Sequence, residues 1–250
     1  MADRPVLLVT GGGRGIGAAT CRKAAAAGFD VVVNYVRDAT AAEALVAELR
    51  GMGAQAEAYQ ADVSKDEDIA ALFAKIDERF GRLTHFVCNA GMTGRVGRLD
   101  DADPAMLRQV VDLNVTGALL TLQAAVKRMS TRHGGSGGAI VILSSVAARL
   151  GSANDFVWYA ASKGAMDSLT VGLAREVAGE GIRVNAVSPG MIDTEIHATA
   201  GDPGRAERAV AAIPARRVGS AEEVAEAIMY LLSESASYVM GGNLDVSGGR

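Results

Sequence analysis

The chain predicts a single-domain α/β fold: a doubly wound parallel sheet of seven strands with helices on both faces. Three observations carry this. Short apolar, β-branched runs alternate with alanine-rich helical stretches from end to end, the rhythm of successive βα units. The strand runs are nearly continuous in apolar residues, as strands buried on both faces are. Hydrophobic residues make up 49% of the chain but aromatics only 4%, so the core is Ala, Val, Leu and Ile, suited to close helix-on-sheet packing. A length of 250 residues is long for one domain yet common among doubly wound folds.

The elements follow in order. Val6–Val9 is an apolar strand, and a glycine-rich turn leads into a helix over Gly15–Ala27. Val31–Tyr35 is the second strand, Ala39–Met52 an alanine-rich helix, Gln55–Ala61 the third strand and Lys65–Phe80 a helix. Thr84–Cys88 is a strand, and Pro104–Arg132 holds one or two long helices. Ala139–Leu143 and Arg183–Val187 are strands separated by the helix Val157–Gly179. A helix over Ala221–Ser233 and a strand over Asn243–Val246 close the chain. Gly134–Gly138 reads as a flexible connector. Asp193–Pro214 follows a strand end, lacks periodicity and contains Gly201, Pro203 and Gly204; it reads either as a substrate lid or as a solvated surface excursion.

Several function classes are disfavoured. A net charge of −4 argues against nucleic acid or an anionic membrane as partner. No hydrophobic run approaches the roughly 20 residues of a membrane span, and Met1 to Pro5 enters the first strand without a signal-peptide core. Cys21 and Cys88 stand on different elements and read as small buried hydrophobes; with His85 and His133 they show no ligand spacing, so no metal site is expected. The expectation is a soluble cytoplasmic protein.

The first βα turn is Thr10-Gly-Gly-Gly-Arg-Gly-Ile-Gly17. Glycines allow a tight turn and let backbone N–H groups approach a pyrophosphate at the helix N-terminus. A lysine followed by Ser or Thr is missing, so this is not a nucleotide-triphosphate loop. The expected cofactor contacts are Gly11, Gly13, Arg14, Gly15, Ile16 and Gly17, with Asn34, Tyr35 and Arg37 at the second strand end. A site for a free ribose 2′-hydroxyl places a carboxylate at that strand end. Here none occurs until Asp38, while Arg14 and Arg37 can flank a 2′-phosphate. NADP(H) is favoured; Asp38 is close enough that NAD(H) stays open.

Tyr159 and Lys163 stand four residues apart, on one helical face. A phenol of pKa about 10 is a poor acid at neutral pH, and a fixed cation one turn away favours its phenolate. Such a tyrosine can exchange a proton with an oxygen on a bound substrate. By itself such a pair is usually an amphipathic rim at a helix edge. Its company, the glycine loop, Asn89-Ala90-Gly91 and the serine pair Ser144-Ser145, points to chemistry.

Together these residues resemble the short-chain dehydrogenase/reductase family over essentially the whole chain, a Rossmann-type fold. The matching positions are Thr10-Gly-x-x-x-Gly15-x-Gly17, Asp62-Val63, Asn89-Ala90-Gly91, Asn114, Ser145, Tyr159-x-x-x-Lys163 and Pro189-Gly190. The resemblance implies that Asp62 and Val63 contact adenine, and that Asn89, Ala90 and Gly91 lie along the cofactor. Asn114 would hold a water leading from Lys163 to solvent. Ser145 would hydrogen-bond the substrate oxygen, in preference to Ser144, and Tyr159 would be the acid or base. Lys163 would bind the nicotinamide ribose and depress the tyrosine pKa. Pro189, Gly190, Ile192 and Thr194 would fix the nicotinamide carboxamide and phosphates.

The implied activity is NADPH-dependent reduction of a ketone or 3-oxo group, reversible as alcohol oxidation, on a small-molecule substrate. The implied assembly is a homotetramer formed through the long helices, with Ala160, Ala161, Gly164, Ala165, Gly172 and Ala174 permitting close approach. An acyl carrier protein as substrate carrier would be met by Arg132 and His133, but Glu180 would repel it. Met92, Thr93, Arg95, Met191 and His197 are further pocket candidates, and Trp158 is expected at a subunit interface. The alternatives are an NAD-dependent alcohol or sugar dehydrogenase, a sugar-nucleotide epimerase, and a non-catalytic nucleotide sensor on the same fold.

Overall fold

The computed structural model describes residues 4–195, 200–202 and 204–250. Seven strands form one parallel sheet in the order β3-β2-β1-β4-β5-β6-β7. They are β1 (Val6–Val9), β2 (Asp30–Tyr35), β3 (Ala56–Gln60), β4 (His85–Cys88), β5 (Gly138–Leu143), β6 (Ile182–Pro189) and β7 (Asn243–Val246). The doubly wound fold expected from the βα rhythm is observed, and element ends differ by one or two residues, as fraying termini do.

Alternation along the strands sends side chains to two cores. On one face Leu7, Val9, Val31, Val33 and Val141 pack against α1 (Gly15–Ala26) and α2 (Ala39–Gly51), with a later helix over Ala221–Leu232 beside them. On the other, Leu8, Val32, Phe86, Ile140 and Val184 meet α3 (Asp66–Phe80) and the helices of the second half. Helix α3 shows why such segments fold: Ile69, Leu72, Phe73 and Ile76 make one apolar stripe, and Gly81 ends it in a left-handed cap.

The segment expected as one or two helices over Pro104–Arg132 is a continuous rod of three kinds of turn. It runs α4 (Pro104–Val111), a π-helical stretch Asp112–Gly117, then α5 (Ala118–Met129). Asp103 caps its start and Pro104 fills the first turn, where no N–H is needed. By length and composition this rod of 26 residues qualifies for a membrane span, contrary to the expectation from the sequence. Its apolar side is instead in use: Ala118, Leu122, Ala125 and Met129 pack into the second core.

A short helix, α6 (Ala147–Leu150), was not expected; it follows Ser145 directly. Next come α7 (Val157–Val177), α8 (Arg205–Ala209) and α9 (Ala221–Leu232), whose Ser220 and Glu223 form a reciprocal capping box. Trp158, expected at a subunit interface, is buried within the protomer with Val110 and Phe156, its indole N–H donating to Thr93 O at 2.7 Å. Adjacent helix positions diverge by about 100°, and that rotation turns Trp158 toward α4 rather than outward.

The end of α9 is held by one cation. Arg183, on β6, donates to the carbonyl oxygens of Leu231 and Ala236 through Nη1, and to those of Leu232 and Ser233 through Nη2. The Leu231 and Leu232 carbonyls are ones that a helix terminus leaves without intrahelical partners, whereas those of Ser233 and Ala236 also accept from Ala236 N and Val239 N. Arg183→Met takes the guanidinium donor from the Leu231 and Leu232 carbonyls and lowers unfolding free energy by about 2 kcal/mol, measurable by urea denaturation.

Candidate active site

The sheet order reverses between β1 and β4, and the loops leaving their C-terminal ends diverge to open a crevice. Thr10 and Asn89 stitch its floor. Thr10 Oγ1 accepts from the amides of Asn89 and Ala90 at 3.0 and 3.1 Å, and Asn89 Nδ2 donates to Thr10 O at 2.8 Å and Gly11 O at 3.1 Å. Gly11 and Gly15 have φ of 62° and 50°, where a side chain is strained. A Cβ on Gly17 would stand 2.4 Å from Gly11 O, so only glycine lets the helix meet the loop.

The loop delivers a bare helix N-terminus. Arg14 occupies the cap position of α1 without a side-chain capping bond, and the first turn holds no acidic residue. The first N–H groups of α1 are thus available to an anion, and the macrodipole favours one there. Arg14, at the start of α1, and Arg37, just past β2, are exposed and make no side-chain hydrogen bond or ion pair among the described residues. Asp38 caps α2, accepting from Ala41 N at 2.9 Å. The Asp62 carboxyl is held below its ordinary pKa. Burial alone would raise its pKa, but hydrogen bonds from Ser64 and the charges of Lys65 and Arg37 hold it below the usual value. These residues suit a dinucleotide, and they place Arg37 on the same side of the crevice as Asp62.

Asn34 departs from its expected role as a cofactor contact. It is fully buried; its amide donates to Ala61 O at 2.9 Å and its Oδ1 accepts from Gly11 N at 3.2 Å. It shapes the glycine loop from within. Val63 is likewise enclosed, at 2% exposure, in the core.

Further along the crevice a cavity of ≈ 440 Å³ is lined by Ser145, Tyr159, Lys163, Asn89, Gly91, Thr93, Pro189, Gly190, Met191, Ile192 and Thr194, among others. The hydroxyls of Tyr159 and Ser145 share the cavity wall, near enough that Ser145 acts on the phenol's pKa. Ser145 Oγ accepts from Ala147 N at 3.1 Å, which orients it at the start of α6. Lys163 is 5% exposed, and its Nζ donates to Leu143 O at 2.6 Å. Asn114 lies in the π-helical stretch, which re-aims side chains locally. It exchanges hydrogen bonds with the main chain of Met92, 2.8 Å each way, and donates to Ser162 Oγ at 3.0 Å.

The expected depression of the Tyr159 pKa by Lys163 is not what the geometry produces. Burial raises the phenol, with Ser145 pulling the other way, and burial brings Lys163 down to about 8. The amine lies 5.7 Å from the tyrosine ring centre and is directed to Leu143 O. Burial favours the neutral form of each group.

Sequence reading missed the cavity's outer wall. Arg205 on α8 makes a two-pronged ion pair with Asp155, at 2.8 and 2.7 Å, and its guanidinium lies 4.4 Å from the Phe156 ring centre. A remote arginine meeting a loop aspartate leaves no spacing signal. The C-terminal residues also reach the site: Gly190 leaves room for Ser247, Gly248 O accepts from Ala215 N at 3.0 Å, and Arg250 lines the cavity. His197 lies outside the described residues. Among the described residues no group of three or more metal-ligating side chains occurs.

Comparison with known proteins accords with this geometry. A family model described as enoyl-(acyl carrier protein) reductase matches residues 11–250. An uncharacterized oxidoreductase of Escherichia coli K12, YgfF, is 48% identical over 98% of this chain and 99% of its own. A crystal structure of a short chain dehydrogenase from Burkholderia cenocepacia, in complex with NADP, superposes with a TM-score of 0.88 at 32% identity, covering 99% of this chain and 97% of that one. The chain belongs to the short-chain dehydrogenase/reductase family. A 3-oxoacyl-[acyl-carrier-protein] reductase of Synechocystis is also similar, 37% identical over 98% of this chain and 96% of its own. As a short-chain dehydrogenase/reductase the protein is an oxidoreductase of C–OH and C=O groups with a nicotinamide cofactor. The glycine loop yields a direct test. Gly17→Ala drives its Cβ against Gly11 O and weakens binding of the nicotinamide dinucleotide by roughly tenfold, or 1.4 kcal/mol, read by quenching of tyrosine and tryptophan fluorescence.

Proposed function

We propose that this chain is an NADPH-dependent reductase of a ketone or 3-oxo substrate, running reversibly to the alcohol. The observation that carries it is the Tyr159–Ser145 hydroxyl pair on the wall of a cavity contiguous with the glycine loop. Hydride arriving at a carbonyl carbon builds negative charge on oxygen, and two converging O–H groups are what that charge requires. NADPH, when bound, supplies the hydride. Ser145 donates a hydrogen bond to the substrate oxygen, and Tyr159 gives it a proton. Lys163 holds the ribose side of the cofactor and feeds protons toward Tyr159, and Asn114 anchors the rod beside them. Gly91, Pro189, Gly190, Ile192 and Thr194 wall the nicotinamide end.

The choice of NADP(H) is supported by two exposed guanidinium groups, Arg14 and Arg37, that make no side-chain hydrogen bond among the described residues, and by Asp38 being engaged as a helix cap. The stretch 193–214 is the cavity's lid within one catalytic domain; the Arg205–Asp155 latch supports that role. Glu180 accepts a hydrogen bond from Ser130 Oγ at 2.5 Å and faces Arg132 at 3.8 Å, so the helix end that would greet an acidic carrier is partly neutralised. A free small-molecule carbonyl is therefore favoured over a carrier-borne one.

A cytoplasmic homotetramer is the proposed form. Val111 and Leu119 on the α4–α5 rod, and Tyr238, Met240 and Leu244 by β7, are exposed apolar residues that support self-association. Gly164 and Gly172 face open space on α7, whereas Ala160 and Ala174 are buried within the protomer and are not available to a partner.

Steady-state oxidation of NADPH and NADH against 3-oxo esters, 3-oxoacyl thioesters, diketones and cyclic ketones tests the reading, with a 2-enoyl thioester to detect alkene reduction. Turnover confined to the enoyl compound overturns it. Tyr159→Phe lowers kcat by about 10³-fold or more, in keeping with loss of a positioned proton donor, and leaves the NADPH Kd within twofold. Arg37→Ala weakens NADPH by about tenfold, the loss of one charge-assisted bond pair, and leaves NADH unchanged; equal effects on both would count against a 2′-phosphate site at Arg37.

A further inference from the structure

One buried contact beside the site has no part in the chemistry above. Ser144, next to Ser145, is 3% exposed at the cavity wall, and its hydroxyl is bonded to α7. It donates to Asp167 Oδ1 at 2.5 Å, with Lys163 O at 3.1 Å. Asp167 stands one helical turn beyond Lys163 on α7, as Lys163 stands one turn beyond Tyr159. The same carboxylate oxygen accepts from Asn243 Nδ2 on β7 at 2.8 Å. One side chain thus ties together the end of β5, the helix carrying Tyr159 and Lys163, and the last strand.

We propose that Asp167 is a positioning residue for the Ser145–Tyr159–Lys163 centre. It fixes the β5 terminus through Ser144, so that Ser145 is held opposite Tyr159, and it places a negative charge one turn from the buried ammonium. A charge-assisted hydrogen bond of this length is among the stronger kinds, and a displacement of about 1 Å at a reacting group is enough to lower turnover 10²-fold.

The charges around Lys163 define the electrostatic part. From its own helix Tyr159 and Asp167 face it, and from β4 Cys88 does, with a thiol that burial pushes up to about 11, neutral at pH 7. Arg149 of α6 is the cation on the far side of Asp167 and is itself paired with Asp245. Burial brings Lys163 to about 8, with the charge of Asp167 acting in the opposite direction. The sign follows: removing the Asp167 charge lowers the Lys163 pKa further, so the neutral amine appears at lower pH and the alkaline limb of turnover moves down.

The proposal rests on the reading of Tyr159 and Ser145 as the reacting pair, and its first test needs no substrate. Lys163 is titrated by NMR of protein labelled with 15Nζ-lysine, in wild type, Asp167→Asn and Ser144→Ala. Asp167→Asn keeps an oxygen for Ser144 and Asn243 to bond but removes the charge. It lowers the Lys163 pKa by about half a unit or more, whereas Ser144→Ala moves it by less than about 0.2. A Lys163 pKa unmoved in Asp167→Asn overturns the proposal. In turnover, Ser144→Ala and Asp167→Ala lower kcat by about tenfold with the NADPH Kd within twofold, the signature of a misplaced reacting group. Wild-type kcat in Asp167→Ala likewise overturns it. If wild type reduces no carbonyl, the reductase reading fails while the titration still decides the role of Asp167.

Discussion

A positive charge buried beneath the catalytic crevice is the constraint around which the second half of the chain is arranged. Lys163 is almost fully enclosed, and an ammonium in that position is tolerated only with acceptors close by. Leu143 O supplies one at 2.6 Å. That carbonyl is the last of β5, so the lysine and the serine pair following it are fixed to the same strand end. Gly91 is required by the same crowding: a Cβ there would stand 3.2 Å from Asn114 Oδ1 and 3.7 Å from Lys163 Nζ. The parallel sheet makes the arrangement possible, since β1, β4, β5 and β6 all deliver their C-terminal ends to one edge.

The strands, the helices and the glycine loop were legible because each depends on local rules. Apolar runs four to eight residues long, a glycine-rich turn and a tyrosine four residues before a lysine are all visible in a linear text. Ser145 could be preferred over Ser144 only by resemblance; the structure gives the physical difference, one hydroxyl facing Tyr159 and the other facing Asp167. Asn34 was misread because strand position does not say which way an amide is directed. Trp158 was misread because exposure depends on the neighbouring rod, with its π-helical stretch, which no periodicity announced. The Tyr159 pKa differs from the expectation because sequence spacing reports proximity and says nothing of burial, which raises the phenol against the pull of Ser145.

The two sides of the cavity are built on different physics. Its floor comes from the sheet and from loops whose backbone groups bond one another, as at Thr10 and Asn89. Its outer wall comes from side chains of two separated segments, held by the Arg205–Asp155 pair and the guanidinium stacked on Phe156. Ser152, in the same wall, and Asn154 beside it have φ of 47° and 61°, a conformation that asparagine accepts more readily than most residues. Substitutions in the floor disturb the whole fold, whereas the wall can vary its side chains on an unchanged frame. Members of one family can in this way share a reaction and differ in what they admit.

The position of the last residues has a practical consequence. Ser247 lies against Gly190, Gly248 and Gly249 pack on the segment Ile213–Ala215, and Arg250 reaches the cavity. Residues appended after Arg250 would begin at the cavity mouth, beside the base of the 193–214 stretch. A purification tag fused there would compete with substrate for space and report a falsely weak enzyme. A tag placed ahead of β1, whose first residue sits at the opposite end of the parallel strands, leaves the entrance clear.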